Sequence, residues 1–541
     1  MKDALAKLKT FLLKVIDLSA LTFLEPVVRL IYGEEPRVQL KKCGRNILVP
    51  VIAFGLFILA WTLISDQIQT KSGKLPDPAA TWSQGQAIWL NHTREEQKSS
   101  AYDLTGEKRE RALAEVEQRL AELEGLDAEA RAVVTEAEAD RVAAVAAAVD
   151  PIEAEIETLK AEIKQAKADR KDGFKAQAAS LPTGDEDAYD TYLASLTEGR
   201  VAIEELEDRE DVLKAELKEA RAMAYPPLVE AQQQATLIAE EQQHLRAMKD
   251  LLGGRNRGEK VATLNEKLDE QTAAFFAAEG EAAYTAATRV ERTQRQIERT
   301  EAADYAMPYT LPWQVVRSIM CVFVGFMAGV LVAVPIGVLC GLSPTIMAAM
   351  TPFIALFKPV SPIVWLPIML IIVSGLIGDP ESNPLIQLLW NLPLIGSFEI
   401  NPAFLASAAV VAICSLWATL ANTALGVASI DQDHLNVARV LKLGLWSRLF
   451  KIVLPSALPL MFAGMRISLG VGWMVLIAAE LLASSEGIGK FVIDMFNNGS
   501  SDSFAALFVV VFVVGVIGLF LDRIMIVLQR SVSFDGSVAS I

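Results

Sequence analysis

"NVARVLKLGLWSRLFKIVLPSALPL", residues Asn436 to Leu460, carries Arg439, Lys442, Arg448 and Lys451 without one acid, in a 541-residue chain whose formal net charge is -16. Long apolar runs flank it on both sides. Val437, Leu441, Leu445, Leu449 and Ile452 can line one side of a helix, while Arg439 with Lys442 and Arg448 with Lys451 fall at i,i+3 on other faces. Gly444 divides the segment into two short helices, and Pro455 and Pro459 punctuate its return into the next apolar run. Such a cation-bearing amphipathic pair suits insertion into a groove on a cytoplasmic partner, or equally a lipid interface where the cations meet headgroups.

The flanking runs set the fold class. Leu48 to Ser65, Val315 to Leu342, Val360 to Ile377, Phe404 to Leu425, Ile467 to Ala483 and Phe504 to Leu521 each approach or exceed the roughly 17–25 residues that cross a bilayer as helix. Six transmembrane helices follow. A composition of 52% hydrophobic residues and mean hydropathy of +0.33 averages these spans with something quite different. Residues 1–45 read as an amphipathic surface segment, since Lys2, Lys7, Lys9 and Lys14 interrupt any clean signal-peptide core. Lys41, Lys42 and Arg45 precede the first span and place that side in the cytoplasm. Six crossings bring Arg523, Arg530 and the tail 531–541 back to the cytoplasm, on the side of the quoted segment.

Between the first span with its linker (46–90) and a five-span core (305–530) lies an inserted α-helical domain, 91–304, rich in Ala, Glu, Gln, Lys and Arg. Its apolar residues recur as heptads: Leu113, Val116, Leu120, Leu123; Ile152, Ile156, Leu159, Ile163; Ile203, Leu206, Leu213, Leu217. Turn signals at Asp150-Pro151, Leu181 to Asp187, Tyr225 to Pro227 and Gly253 to Gly258 predict antiparallel coiled-coil hairpins, with arms of about 45 Å for thirty residues. The topology places them in the periplasm. Their acidic excess suits a solvated surface, or a docking surface for another protein, and disfavours capture of an anion by the domain itself.

Site chemistry of the usual kinds is absent. Cys43, Cys321, Cys340 and Cys414 lie in or beside spans, and His92, His244 and His434 are scattered, so no metal site is expected. "GIGK" (Gly487 to Lys490) lacks the first glycine and the Ser/Thr of a phosphate-binding loop, because Ser484 and Phe491 stand there. No nucleic-acid partner is expected.

The opening segment resembles the cytoplasmic coupling loop of binding-protein-dependent ABC importer permeases, E-A-A-x-x-x-G followed by a distant I-x-L-P. Here the pattern reads Asn436-Val437-Ala438, Lys442 at the usual glycine position, Gly444 two residues later, and Ile452-Val453-Leu454-Pro455. Asn436 and Lys442 depart from the family pattern, and those departures with "NVARVL" are similar to the nitrate and bicarbonate branch of the nitrate/sulfonate/bicarbonate permeases. "LPDPAATW" (Leu75 to Trp82), "GVLCGLS" (Gly337 to Ser343), "KPVSPIVWLPI" (Lys358 to Ile368), "ANTALGV" (Ala421 to Val427), "FAGMRISLGVGWMVLIAAELL" (Phe462 to Leu482), "GIGKFVIDMFN" (Gly487 to Asn497) and "GLFLDR" (Gly518 to Arg523) agree in order. The resemblance covers about 40–90 and 312–530; the insertion and a stretch near Gly378 to Glu399, with its apolar "IQLLWNLPLIGSF" (Ile386 to Phe398), lie outside it.

The resemblance implies an all-α, six-helix type I importer permease in a bacterial inner membrane that is not itself an enzyme: ATP and Mg would be bound by two partner ATPases, and this chain would hold no cofactor. A second permease subunit, expected as an identical copy, a periplasmic solute-binding protein and membrane lipid complete the partners. Asn436, Ala438, Arg439, Lys442, Gly444, Leu454 and Pro455, within a loop spanning 431–465, would couple to the ATPase. Polar groups in spans are costly in lipid and usually face protein or water, which marks Lys358, Ser361, Asn422, Arg466 and Glu480 as candidates for the translocation path. Pro359, Pro362 and Pro367 predict a broken third span. The expected cargo is a small anion, nitrate or nitrite first, with bicarbonate, taurine or an alkanesulfonate as siblings; a membrane-anchored coiled-coil scaffold is the reading from another class.

Overall fold

The computed structural model describes residues 22–70, 73–182, 186–378, 401–431, 440–483 and 485–532, with isolated positions in 10–16, 383–387 and 433–436. The helices run α1 (Glu25–Ile31), α2 (Pro36–Cys43), α3 (Val49–Gln67), α4 (Pro78–Tyr102), α5 (Gly106–Ala179), α6 (Glu186–Arg221), α7 (Pro226–Leu252), α8 (Arg257–Phe276), α9 (Glu281–Glu301), α10 (Leu311–Leu342), α11 (Pro344–Phe357), α12 (Pro362–Ile377), α13 (Pro402–Ala428), α14 (Leu445–Arg448), α15 (Leu454–Ala483), α16 (Ile488–Asn498) and α17 (Ser501–Val532). A two-residue hairpin, β1 (Gln69–Thr70) with β2 (Gly73–Lys74), is the one departure from an all-helical chain among the described residues. Contacts divide the chain into Met1–Glu95 with Met307–Ile541, and Glu96–Ala306.

In the first unit, five helical stretches are long and apolar enough to cross a membrane: Pro36–Ser65, Leu311–Leu342, Pro402–Ala428, Leu445–Ala483 and Ser501–Val532. Helices α11 and α12 pass the same test only as a pair, bent by 101° at the break that the prolines predict, so the sixth crossing depends on taking the pair as one span. Proline alone does not force a break: Pro367 and Pro459 lie inside α12 and α15.

The core of this unit sits among α10, α13 and α15, and small residues build it. Along α10, Gly325, Gly329, Ala333, Gly337 and Gly341 recur every fourth residue. A Cβ on Gly337 would lie 2.7 Å from Thr423 Cβ and 2.9 Å from the Leu420 carbonyl oxygen, and one on Gly341 would lie 2.6 Å from that of Ala424. Backbones of α10 and α13 therefore touch, as small-xxx-small patterns allow. Gly464 does the same for α15, where a Cβ would meet the Ala418 carbonyl at 3.0 Å. Bulkier residues such as Phe326, Leu366, Val411, Trp473 and Leu476 fill the space alongside. Helix α3 is exposed along most of its apolar length, as a lipid-facing helix would be, and Trp61 stacks on Phe508 and Phe512 at 5.2 and 5.7 Å.

The second unit is stitched differently. Helix α5 runs unbroken for 74 residues, roughly 110 Å at 1.5 Å per residue. The turn predicted at Asp150-Pro151 does not occur: Pro151 lies inside α5. Its lost hydrogen bond, worth about 3 kcal/mol, is offset because α5 is held on both sides of the proline by different partners. Before it, α5 packs on α7, with Leu120 and Leu123 buried and Gln242 Nε2 donating to the Leu123 carbonyl at 2.9 Å. Beyond it, α5 packs on α6 through Ile156, Leu159, Ile163 and Leu213. Cross-helix pairs Glu153–Arg221, Glu155–Arg209 and Lys167–Glu207 descend on α6 as they climb α5, so the pairing is antiparallel. The other predicted turns, at 181–187, 225–227 and 253–258, separate α5 from α6, α6 from α7 and α7 from α8; residues 183–185 lie outside the described residues.

Candidate functional site

Two places in the first unit gather the residues singled out by sequence. The first is the chain from Val440 to Pro455. Lys442 adopts a left-handed backbone with φ 49°, the conformation a glycine takes without steric cost, at the position where the importer pattern carries glycine. Gly444 then caps α14 in an extended conformation, a π-helical turn covers Leu449–Val453, and Leu454 and Pro455 open α15. Asn436 is an exposed helical position, and Val437, Ala438 and Arg439 lie outside the described residues.

The apolar residues here do not form the single line the spacing predicts. Val453 is buried with Val338, Val427, Ala457 and Met461, and Leu449 and Leu454 pack against that cluster. Leu441 and Leu445 are exposed instead, at 63% and 77%, beside Val440, Trp446 and Phe450. The left-handed turn at Lys442 explains the divergence, since it interrupts the helical phase on which the line depends. Trp446 and Phe450 stack with ring centres 6.0 Å apart. Five large apolar side chains are thus exposed beside Lys442, Arg448 and Lys451, next to the buried anchor Val453.

The second place surrounds Glu480 near the end of α15. The carboxylate is buried, and Ser318 Oγ of α10 donates to its two oxygens at 2.7 and 2.9 Å. The Gly489 amide donates to Oε2 at 3.0 Å, and the Ile488 amide donates to Ser318 Oγ at 3.0 Å. Glu480 therefore occupies the N-terminus of α16, where backbone amides and the helix dipole favour a negative charge. A Cβ on Gly489 would stand 2.5 Å from Glu480 Cβ, so "GIGK" is glycine-rich to let this turn close over the carboxylate. Arg317, the residue before Ser318 on α10, is also buried, its guanidinium 5.6 Å above the Tyr309 ring and 5.7 Å above that of Phe404.

The remaining path candidates have separate neighbourhoods. Arg466 forms a bidentate pair with Asp522 of α17 at 2.6 and 3.1 Å, which engages its guanidinium within the chain. Asn422 Nδ2 donates to the Ala418 carbonyl at 2.9 Å within α13. Lys358 and Ser361 are exposed at the break between α11 and α12. Sequence reading missed Arg317, Ser318 and Asp522, although a lone Arg and a lone Asp in apolar helices are the signal that such groups leave. Thr419 and Ser468 form a further buried polar seam, the Thr419 hydroxyl donating to Ser468 Oγ at 2.8 Å. Among the described residues no group of acids, His and Cys could hold a metal ion.

Comparison with known proteins adds the following. Residues 333–534 match the family described as binding-protein-dependent transport system inner membrane component. The bicarbonate transport system permease protein CmpB of Synechococcus elongatus is 34% identical over 220 residues, 40% of this chain and 68% of that protein. The nitrate import permease protein NrtB of Leptolyngbya laminosa is 32% identical over 212 residues, 39% of this chain and 65% of that protein. The taurine transport system permease protein TauC of Escherichia coli is 33% identical over 187 residues, 34% of this chain and 58% of that protein. The chain thus spans about two thirds of the length of the nitrate and bicarbonate relatives.

Proposed function

Because the chain belongs to the family of binding-protein-dependent transport system inner membrane components, we propose that it is the permease subunit of an ATP-driven importer of a small anion, nitrate or nitrite first. The observation that carries this reading is the segment from Val440 to Phe450, whose five exposed apolar side chains sit among cations on an anchored turn. Exposed apolar side chains among cations suit docking into a groove on a partner. In the proposed cycle it enters a groove on an ATPase subunit, two ATPases serve two copies of this chain, and a solute-binding protein delivers cargo from the periplasm. The chain does no bond chemistry. It converts contacts that differ between two conformations into alternating access, since a ligand shifts an equilibrium only by its differential affinity.

Six crossings follow if α11 and α12 make one bent span, and both ends of the chain then lie in the cytoplasm with 96–306 in the periplasm. The basic residues Lys41, Lys42, Arg45, Arg448, Lys451, Arg523 and Arg530 all fall on the cytoplasmic side of that arrangement, which supports it. Cysteine at Ala161 should react with an impermeant thiol reagent in intact spheroplasts. Reaction only after permeabilisation would reverse the placement.

Uptake of labelled nitrate by cells expressing the chain with its ATPase and binding protein, against excess nitrite, bicarbonate or taurine, tests the cargo. The expected result is uptake that requires the chain and yields to nitrate or nitrite. A bicarbonate cargo is the second reading, favoured by the 34% identity to a bicarbonate permease, and uptake blocked by bicarbonate alone would establish it. Arg439→Glu with Lys442→Glu should separate ATP hydrolysis from uptake while the protein stays in the membrane; normal uptake would remove the coupling role.

A further inference from the structure

Helices α8 and α9 pack on each other as a hairpin, and little else covers them. Helix α8 has no buried residue and α9 only Thr293 and Ile297, whereas eight are buried along α5. The base of the hairpin is fixed. Asn256, fully buried, donates through Nδ2 to the carbonyls of Ala101, Tyr102 and Leu104 at 3.0, 3.1 and 2.9 Å, and Arg257 pairs with Asp103 at 3.2 Å. Helices in proteins draw most of their stability from a packed face, so this anchored hairpin offers an uncovered surface.

Charge on that surface is sorted. The Thr293 hydroxyl donates to Gln271 Oε1 of α8 at 2.8 Å, and Val290 and Ile297 lie on the same side, which sets Val290 and Ile297 at heptad position a and Thr293 at d. Positions g and c, one flank of α9, then hold Arg289, Arg292, Gln296 and Arg299, while Glu291 and Glu298 fall at b on the other flank. All of these arginines are exposed, and Arg289, Arg292 and Arg299 pair with no carboxylate among the described residues; Arg295 beside them pairs with Glu291.

The opposite charge occupies the same positions of α5. There Leu120 and Ala137 pack against α7, which sets Leu120 at a and Leu123 and Ala137 at d. Glu122, Glu129 and Glu136 then form the c column, and Leu126, Val133 and Asp140 the g column, all exposed. Arg131, the one base between 122 and 140, pairs with Asp127, and Glu129, Glu136 and Asp140 pair with no cation among the described residues. The acidic flank runs about 27 Å and the arginine flank about 15 Å, so the second fits within the first.

We propose that the arginine flank of α9 docks on the acidic flank of α5 in a second copy of this chain. Complementarity names the occupant, because the chain carries both halves of the contact at matching heptad positions. Guanidinium groups meet the carboxylates in charge-assisted hydrogen bonds, and the arginine stems cover Leu126 and Val133. The pairing of opposite charges fixes register and excludes the alternatives that set acid against acid. The contact needs two copies of the chain and neither ATPase nor cargo, so it stands apart from the transport reading.

Carbodiimide coupling of the full-length chain in detergent tests this, since it joins an amine to a carboxylate only where they touch. Arg292→Lys with Arg299→Lys keeps the charge of these exposed positions and supplies the amines. The expected product is a covalent dimer on a denaturing gel, its new bonds mapping by mass spectrometry from α9 to Glu122, Glu129, Glu136 or Asp140, with a yield that falls several-fold in 1 M sodium chloride, where charges are screened beyond about 3 Å. Adding Glu129→Lys with Glu136→Lys to that variant sets like charges together and should abolish the remaining bonds to Glu122 and Asp140. Exchanging the charges, with Arg292→Glu, Arg299→Glu, Glu129→Lys and Glu136→Lys in one chain, should restore a dimer joined between the same two flanks. Bonds within single chains only, a dimer joined only at other carboxylates, no dimer, or bonds that survive the like-charge variant would overturn the proposal. Loss of nitrate uptake with this dimer intact would count against the transport reading alone.

Discussion

The two units solve helix packing in opposite ways. Helices α10, α13 and α15 approach until backbones touch, over glycines and alanines, and buried hydrogen bonds join Ser318 to Glu480 and Thr419 to Ser468 between them. Helices α5, α6 and α7 keep a layer of Leu, Ile and Val between them and flank it with ion pairs. The surrounding solvent accounts for the difference. In water, removing large side chains from solvent drives association, whereas in lipid no such gain exists and close van der Waals contact takes its place.

The largest effect should come from placing a side chain where the core has none. Gly337→Leu forces α10 off Thr423 and the Leu420 carbonyl, and a loss exceeding about 5 kcal/mol, with little folded protein recovered from membranes, is expected. Gly470→Leu on α15 meets nothing within 4 Å and should be recovered normally; equal yields would dismiss the packing argument. Glu480→Leu comes next, because it removes the buried acceptor of the Ser318 hydroxyl and the Gly489 amide, for about 2–5 kcal/mol over the two donors. Thermal unfolding of the purified chain would show it as a lower midpoint, and an unchanged midpoint would mean the cluster contributes nothing.

Leu123→Ala should cost about 2–5 kcal/mol, and only in the insertion. Proteolysis on heating should then cut within 96–306 at lower temperature while fragments of α10 to α17 persist; simultaneous loss of both would show that the units unfold together. The smallest effect belongs to Lys442→Gly, which relieves the left-handed backbone by about 1 kcal/mol. Slower hydrogen exchange across 440–448 would register it, and faster exchange would argue that Lys442 is not strained.

Much of this was legible in residue order. Apolar run length found the membrane-length helices, and heptads found the seam of the insertion, because both signals are local. Pro151 misled because tertiary contacts on α5 outweigh a local preference. The separation of Leu441 from the later apolar residues was hidden because one left-handed residue, Lys442, shifts the phase of everything after it. Glu480 stood out as a charge in an apolar span, but its partner Ser318 lies 162 positions away, and no periodicity links them. The glycine ladder of α10 was readable as a four-residue repeat and only the structure gives it meaning, by setting α13 against it.

That ladder has a mechanical corollary. Where two backbones rest on one another with no deformable layer between, neither helix can tilt or slide without prying the pair apart, so α10 and α13 should travel as a single stiff strut. Compliance must then reside elsewhere in the unit. The 101° elbow between α11 and α12, with Lys358 and Ser361 exposed at the break, lies outside that strut, in the chain that links its two helices.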